Sequence, residues 1–558
     1  MIITIVVTLS GCSQGGQPGL GEVDDINGDV NNGVSEGTAA EILPANETDF
    51  LVSASNLQIH GNPDILPGVY FVDEPFMAFT PVRGGAAYNR LYELANGKVI
   101  MGFDTNRGGG RTVVMAVTSD DMINWSAPAL VGGYDHLDVA NLTFLQLENG
   151  DIIGAYRAND DLGNEPRRDG YYSSIRAAIS KDGGTTWEEH SIIAEEVGIG
   201  GVYEPHLGWL DGKMAVFYAN DSRNAVNQHM EQNIEFKIWD GEAWGEKMIA
   251  SDGIQTASRD GMPVWDKTLD GSYVMVIEAT NVPGHPFVIQ MTSSNDGLDW
   301  SLPMWNIYVP NQRDKKAGAP YIVTLPDGRY AVSFQTDDDK ERTGDAASYM
   351  KVMFSLDDKG HTWTEAFVPF LIPEEGSANW NSLFLRGDRL YAATGTAYPS
   401  PGIYLREAVL YPYNVPGKNL VNNGMFMFGN TQNWFFEMRG ARYHFEFPAK
   451  RMENRAGNRF LTMTNNTDDD IALNQQIPGV PEGEYVFVIK AMGGARVSVR
   501  ITQGSETVEF SFNTPEDVFM EFTQTGIMLQ DGIATLSIVM VGGTGRDLSV
   551  DDIYLAAK

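Results

Sequence analysis

The chain has 558 residues, 42% of them hydrophobic and 11% aromatic, with 60 glycines, 26 prolines and a formal net charge of −35 at pH 7. That length exceeds what one hydrophobic core usually serves, so at least two domains are expected. The acidic balance argues against nucleic acid as a partner, because phosphate binding needs a basic surface. The lone cysteine, Cys12, excludes an intramolecular disulfide and a thiolate metal cluster.

The N-terminus reads MIITIVVTLSGCSQGG. The apolar run Ile2 to Leu9 is too short to span a bilayer as a helix. Followed by Leu9-Ser10-Gly11-Cys12, it resembles the end of a bacterial lipoprotein signal, in which the cysteine is lipidated. Residues 1–12 are therefore expected to be a signal, with Cys12 as the lipidation site. The protein would be an exported lipoprotein of the cell envelope or surface, touching membrane only through that anchor. Residues 13–60 are rich in Gly, Asn, Asp and Glu and read as a disordered tether.

From residue 61 the pattern becomes periodic. SKDGGTTW (180–187) combines Asp and Gly, which suit a tight turn, with a Trp that can cover it. Related stretches are TSDDMINW (118–125), KIWDGEAW (237–244), SSNDGLDW (293–300) and LDDKGHTW (356–363). Aligned on the tryptophan, Asn295 and Asp358 fall at the Asp position. The tryptophans are 62, 57, 56 and 63 residues apart. Interleaved with them are hairpin signals such as LANGKVIMGF, LENGDIIGAY and LPDGRYAVSF. Their turn glycines, 97, 150, 212, 271, 328 and 387, repeat every 53 to 62 residues. Two hairpins per period, six times over, predict an all-β chain whose residues 61–414 form a six-bladed β-propeller. Residues 65–85 would supply the strand that closes the ring. SKDGGTTW also resembles the Asp-box of sialidase-like propellers, a motif that locks a turn.

Residues 417–558 run from NLVNNGMF to DDIYL and predict a jelly-roll β-sandwich. Those ends resemble the galactose-binding-like modules of carbohydrate-active proteins, with a carbohydrate-binding or domain-bracing role. Trp434, Phe435 and Phe436 are candidates for stacking on sugar, against the simpler reading of core aromatics. No cofactor is expected and no metal-ligand motif is present, although the C-terminal domain leaves room for a structural Ca²⁺.

In a blade the start of the first strand and the end of the second share one face, and the first strand lines the central channel. Seven residues past each turn glycine stand Asp104, Arg157, Ala219, Glu278, Gln335 and Thr394. Eight before Gly212 stands Glu204. Glu204 and Glu278 therefore share a level in neighbouring blades, and paired carboxylates in a concave site are what glycoside hydrolysis uses. The alternative is that both are rim residues bonded to loops. Arg90, Arg157 and Arg259, with Asp104, Asp260 and Gln335, are the candidate substrate-binding groups for an oligosaccharide or polysaccharide.

YEPHLGWLDGKMAVFYAND (203–221), SRDGMPVWDKTLDGSYVMVIEAT (258–280) and AGAPYIVTLPDGRYAVSFQTDDD (317–339) resemble the exo-α-1,5-L-arabinanases, glycoside hydrolase family 93. The resemblance spans residues 85–365. It implies a sialidase-like propeller that releases arabinobiose from the non-reducing end of linear arabinan with retention. It also implies that Glu204 and Glu278 are the catalytic pair. Val264-Trp265 depart from the smaller residues usual in that family. Arg157 beside Glu204 suggests Glu204 as nucleophile, leaving Glu278 as acid/base. An exo-sialidase would need an arginine triad and a tyrosine nucleophile, for which Arg90, Arg259 and Tyr349 or Tyr391 are available. Tyr88-Asn89-Arg90-Leu91 stands where that family has Phe-Arg-Ile-Pro. A non-catalytic glycan-binding propeller is the remaining alternative, and intact Glu204 and Glu278 speak against it.

Overall fold

The computed structural model describes residues 58–59, 69–71, 75–81, 85–108, 111–160, 170–222, 231–410, 413–414, 420–421, 433–437, 442–446 and 460–558. Cys12 and most of the expected tether lie outside them. Gln58–Ile59, inside that expected tether, pairs with Tyr413–Asn414. Among the described residues no helix is long and apolar enough to cross a membrane.

The chain is all-β, and six antiparallel sheets follow one another in sequence. Blade one holds Ala87–Glu93, Val99–Gly108, Arg111–Ser119 and Ala129–Gly132. Blade two runs from Leu137–Gln146 to Glu188–Gly198, blade three from Val202–Leu210 to Met248–Ser251, and blade four from Gly261–Lys267 to Trp305–Tyr308. Blade five has three full strands, and its fourth is reduced to a bridge between Val352 and Phe367. Blade six, Ala378–Arg386 to Gly402–Val409, is completed by Tyr70–Phe71 and Phe76–Phe79 from the N-terminal side.

Apolar residues of each strand alternate toward the two neighbouring blades, so every blade buries both faces. The result is six apolar cores, each shared by two adjacent blades. The last joins Phe384, Tyr391 and Ala393 of blade six to Leu91, Met101 and Phe103 of blade one, which closes the ring. Trp265 belongs to the core between blades three and four, where it packs on Phe217 and Tyr273. A Cβ on Gly208 of blade three would lie 2.6 Å from its ring. The bulk of Trp265 is thus absorbed between blades by a facing glycine.

The Trp turns are held by side chains rather than by sequence length. Ser180 Oγ accepts from the N–H of Gly184, Asp182 accepts from the N–H groups of Thr185 and Thr186, and Trp187 Nε1 donates to Gly184 O. The same roles fall to Ser119, Asp121 and Trp125, and to Ser294, Asp296 and Trp300. In blade five Asp357 caps the turn and Trp363 donates to Gly360 O. The capping residues are therefore Asp296 and Asp357, not Asn295 and Asp358. Trp300 is buried, whereas Trp125, Trp187 and Trp363 are half-buried.

Two five-stranded sheets form the C-terminal sandwich. One has the order Phe435–Glu437, Ile471–Val480, Gly532–Met540, Arg496–Gln503, Glu506–Asn513. Between the sheets lies one core, in which Trp434 is 2% exposed. Trp434 is thus a core aromatic, and Phe436 packs against the same core. The sandwich is fastened to blade five: the Asn433 side chain bonds both the N–H and the carbonyl of Val368, and the Glu365 N–H donates to Gln476 Oε1.

Candidate active site

Each innermost strand carries a β-bulge at the same height. The pairing register slips between Ala87 and Arg90, Ala140 and Thr143, Tyr203 and His206, Gly261 and Val264, Gly318 and Tyr321, and Asn379 and Ser382. Inside each bulge one residue has left-handed backbone: Tyr88, Asn141, Glu204, Met262, Ala319 and Trp380, with φ between 49° and 67°. None is glycine, and such a conformation costs about 1–2 kcal/mol per residue. Six strained residues thus form a ring at one end of the channel, and bulges re-aim side chains in this way beside functional sites.

The ring has an apolar side and a polar side. Tyr88, Met262 and Ala319 pack together with Trp380, and the Tyr88 and Trp380 rings lie 6.3 Å apart. Asn141 and Glu204 are the two polar bulge residues. Behind the ring stand the second strands, whose residues opposite the bulges are Asp104, Arg157, Ala219, Glu278, Gln335 and Gly395. Gly395, not Thr394, holds the position in blade six, because Gly387 is the first residue of its two-residue turn whereas Gly212 is the second in blade three.

A single hydrogen bond recurs around this level. The side chain of a second strand accepts the bulge N–H of the next blade. Asp104 accepts from Asn141 at 3.1 Å, Glu278 from Ala319 at 2.9 Å, and Gln335 from Trp380 at 2.8 Å. Blade three has Ala219 at this place, and there the Met262 N–H acts on the Glu204 carboxyl, favouring its charged form. These bonds satisfy donors that the bulges remove from the sheet.

Glu204 and Glu278 are brought together, and their surroundings differ. Glu204 Oε2 is buried with no hydrogen-bond partner among the described residues. Burial, with the Glu278 charge as the next cause, pushes the Glu204 carboxyl up to about 7, against the opposing pull of Arg259 and Arg157. Glu278 Oε1 is 3.4 Å from Arg259 Nη1, while its Oε2 takes the Ala319 N–H. Both bonds are donated to a carboxylate. Two glycines make room for it: a Cβ on Gly318 would lie 2.6 Å from Oε2, and one on Gly261 would lie 3.0 Å from Oε1.

The remaining candidates separate into groups. Arg259 joins the pair, and its guanidinium also lies 5.4 Å from the Phe287 ring. Arg157 is buried, donating to Asn141 Oδ1 at 2.9 Å and Asp138 Oδ2 at 2.7 Å. Asp104 is buried beside it, and burial pushes its carboxyl up to about 8. Arg90 lies beneath the ring with Tyr88 stacked 3.8 Å away, and it donates to the carbonyls of Asn89 and Asn381. It ties blade one to blade six. Gln335 bonds Trp380 and, through Nε2, Asp345. Asp260 does not join the site: it is buried and accepts from Ser251. Tyr349 and Tyr391 are also elsewhere. Tyr349 donates to Asp339, and Tyr391 lies in the core between blades six and one.

Sequence reasoning missed Tyr88, Trp380, Gly261 and Gly318. A signal was present for part of the ring: Glu204-Pro205, Met262-Pro263 and Ala319-Pro320 place a proline after the bulge residue in three successive blades. Among the described residues no group of three or more His, Cys, Asp or Glu side chains is placed to hold a metal ion.

No known family profile matches the chain, and no curated protein matches it by sequence. Comparison of folds gives similar solved structures. The GH93 α-L-arabinofuranosidase of Fusarium graminearum, solved with arabinobiose, is 17% identical with a TM-score of 0.45, over 62% of this chain and 98% of that one. The α-L-arabinanase of Penicillium chrysogenum, also solved with arabinobiose, is 18% identical with a TM-score of 0.45, over 62% and 99%. The NanB sialidase of Streptococcus pneumoniae is 11% identical with a TM-score of 0.42, over 66% and 72%. The chain is similar to these three proteins at low identity.

Proposed function

We propose that this protein is a retaining exo-glycoside hydrolase that releases arabinobiose from linear α-1,5-L-arabinan. The observation that carries the hydrolase reading is the pairing of Glu204 and Glu278 from adjacent blades in unlike surroundings. Hydrolysis with retention needs one protonated and one ionised carboxyl group facing the same glycosidic bond. Glu204, beside the apolar part of the ring, holds its proton to about pH 7 and suits the general acid. Glu278, bonded by Arg259 and the Ala319 N–H, suits the nucleophile. This reverses the order suggested by the position of Arg157 in the sequence, because Arg157 is engaged by Asp138 and Asn141 and burial dominates at Glu204.

In the first step Glu278 attacks the anomeric carbon while Glu204 gives its proton to the leaving oxygen. In the second, Glu204 takes a proton from water, which attacks the same carbon and frees Glu278. The linkage, the chain-end preference and the arabinobiose product are supported by the likeness of residues 203–221, 258–280 and 317–339 to the arabinanases. The sialidase reading is less well supported: Arg90 is pinned under Tyr88 and Arg157 is tied to Asp138, so three open arginines do not converge. Leu9-Ser10-Gly11-Cys12 supports an exported lipoprotein, for which mass spectrometry of Cys12 is the check.

Product analysis on linear arabinan, branched arabinan and sialyl-lactose tests the substrate. Arabinobiose from linear arabinan is expected. Sialic acid release, or no turnover of any of the three, would contradict the proposal.

A further inference from the structure

Three arginines stand at or under the ring, and one of them differs from the others. Arg157 holds the carboxylate of Asp138, and Arg259 that of Glu278. Arg90 is 3% exposed and forms no ion pair among the described residues. Its Nη1 donates to the carbonyls of Asn89 and Asn381 at 2.8 and 3.0 Å, and its Nη2 has no partner among those residues. A buried charge persists when it is paired or fully coordinated, and here both conditions are incomplete.

The groups around Arg90 do not supply the missing charge. Its guanidinium lies 3.8 Å from the centre of the Tyr88 ring and 5.0 Å from that of Tyr321, and the His206 ring lies 6.0 Å from Tyr321. Side chains of blades one, five and three therefore meet beneath the ring. Burial raises both tyrosine hydroxyls, which keeps them neutral. Burial, and next the Arg90 charge, lowers His206 to about 3, so it is neutral as well. Glu204 and Asp104, the carboxyls whose charges act on Tyr88 together with that of Arg90, are raised by burial to about 7 and about 8. The amides beside Arg90 add donors. The oxygens of Asn89 and Asn381 accept from Ser382 Oγ at 3.0 Å and Thr394 Oγ1 at 2.8 Å, while both Nδ2 atoms are buried without a partner among the described residues. These are the two residues whose carbonyls Arg90 already touches. A guanidinium and two amides thus present N–H groups only. A water there would leave its own hydrogens without acceptors, whereas a halide accepts from every donor. One guanidinium also matches one negative charge, which favours a halide over a doubly charged sulfate or phosphate.

We infer that a chloride ion binds in the central channel beneath the ring, held by Arg90 Nη2 and the side-chain amides of Asn89 and Asn381. Asn89 and Arg90 belong to blade one and Asn381 to blade six, so the ion fastens the two blades at which the propeller closes. It also neutralises the guanidinium on which Tyr88 stacks. Its role is to stabilise the closed ring. It takes no part in glycosidic cleavage and does not depend on the catalytic reading.

Bromide, which replaces chloride and scatters anomalously, tests this. Crystals of the full chain grown in sodium bromide should show an anomalous peak within hydrogen-bond reach of Arg90 Nη2. In solution, the melting temperature at fixed ionic strength should rise saturably as chloride replaces gluconate, by about 2–4 °C. Asn381→Asp and Asn89→Asp each supply the negative charge from the protein itself, and each should lose both the bromide peak and the chloride response. If neither variant folds, the bromide map and chloride titration of the unmodified chain decide the matter. Ordered water without anomalous signal at Arg90, a melting temperature indifferent to chloride, or a chloride response retained in both variants would overturn the inference. So would an adventitious ion only, seen as bromide at Arg90 with no chloride response in solution.

Discussion

Glu278 accepts the N–H of Ala319 at 2.9 Å, and Gln335 does the same for Trp380 one blade further on. The catalytic candidate thus occupies a bracing position that an amide fills elsewhere in the ring. Glu278→Gln should keep the brace, since Gln335 shows that an amide oxygen serves, and the melting temperature should stay within a few degrees. Glu278→Ala should leave the Ala319 N–H unpaired, destabilising the fold by about 1–3 kcal/mol. Both should lose activity by several orders of magnitude. Thermal unfolding beside turnover separates the two effects, and equal destabilisation by Gln and Ala would count against the brace.

Gly318 offers a test that leaves the carboxylate in place. Its φ is not in the left-handed region, so alanine meets no backbone strain, yet its Cβ would lie 2.6 Å from Glu278 Oε2. The carboxylate must move, and a displacement near 1 Å costs about a hundredfold in rate. Gly318→Ala should therefore lower kcat about a hundredfold with little change in KM. Wild-type kcat would show that Glu278 is not held for chemistry.

The pH dependence follows from the Glu204 carboxyl, raised to about 7. As general acid it must be protonated in the free enzyme, so kcat/KM should fall on the alkaline side of about pH 7. In Glu204→Gln the residual activity should lose that alkaline limb. A limb unchanged in the variant would place the titration elsewhere.

Asp104 gives the stability counterpart. Its folded carboxyl is raised to about 8 from an ordinary 3.8, so the folded state binds the proton more tightly than the unfolded chain. That contribution is complete below the unfolded value and is lost as pH rises through about 8. Asp104→Asn keeps an acceptor for Asn141 and removes the ionisation. The variant should therefore gain stability relative to wild type as pH rises from 4 to 9, read as a growing difference in melting temperature. A difference that is flat with pH would contradict the assignment.

Much of this architecture was legible because turns leave chemical marks. Glycines 97 to 387 and the five tryptophans carry the blade count, since each marks a hairpin that recurs once per blade. Registers within those marks were less secure. The distance from the capping Asp to the Trp differs among Asp121, Asp182, Asp296 and Asp357, so alignment on the tryptophan slipped by one at Asn295 and Asp358. Glu204 and Glu278 were legible as polar residues at strand ends. The division of their roles was not, because it depends on burial and on Arg259, Ala319 and Gly318, which converge from different strands and blades. Asp260 misled for the same reason: beside Arg259 in sequence, it turns to Ser251 instead.

The proposed division of acid and nucleophile between Glu204 and Glu278 can be read from single-turnover kinetics with an aryl α-L-arabinobioside whose leaving group needs no proton. Glu204→Gln should form the glycosyl-enzyme on Glu278 at close to the wild-type rate, and mass spectrometry should find the sugar there. Glu278→Gln should form none. A glycosyl-enzyme on Glu204 would reverse the roles, and wild-type turnover by both variants would place the catalytic site elsewhere.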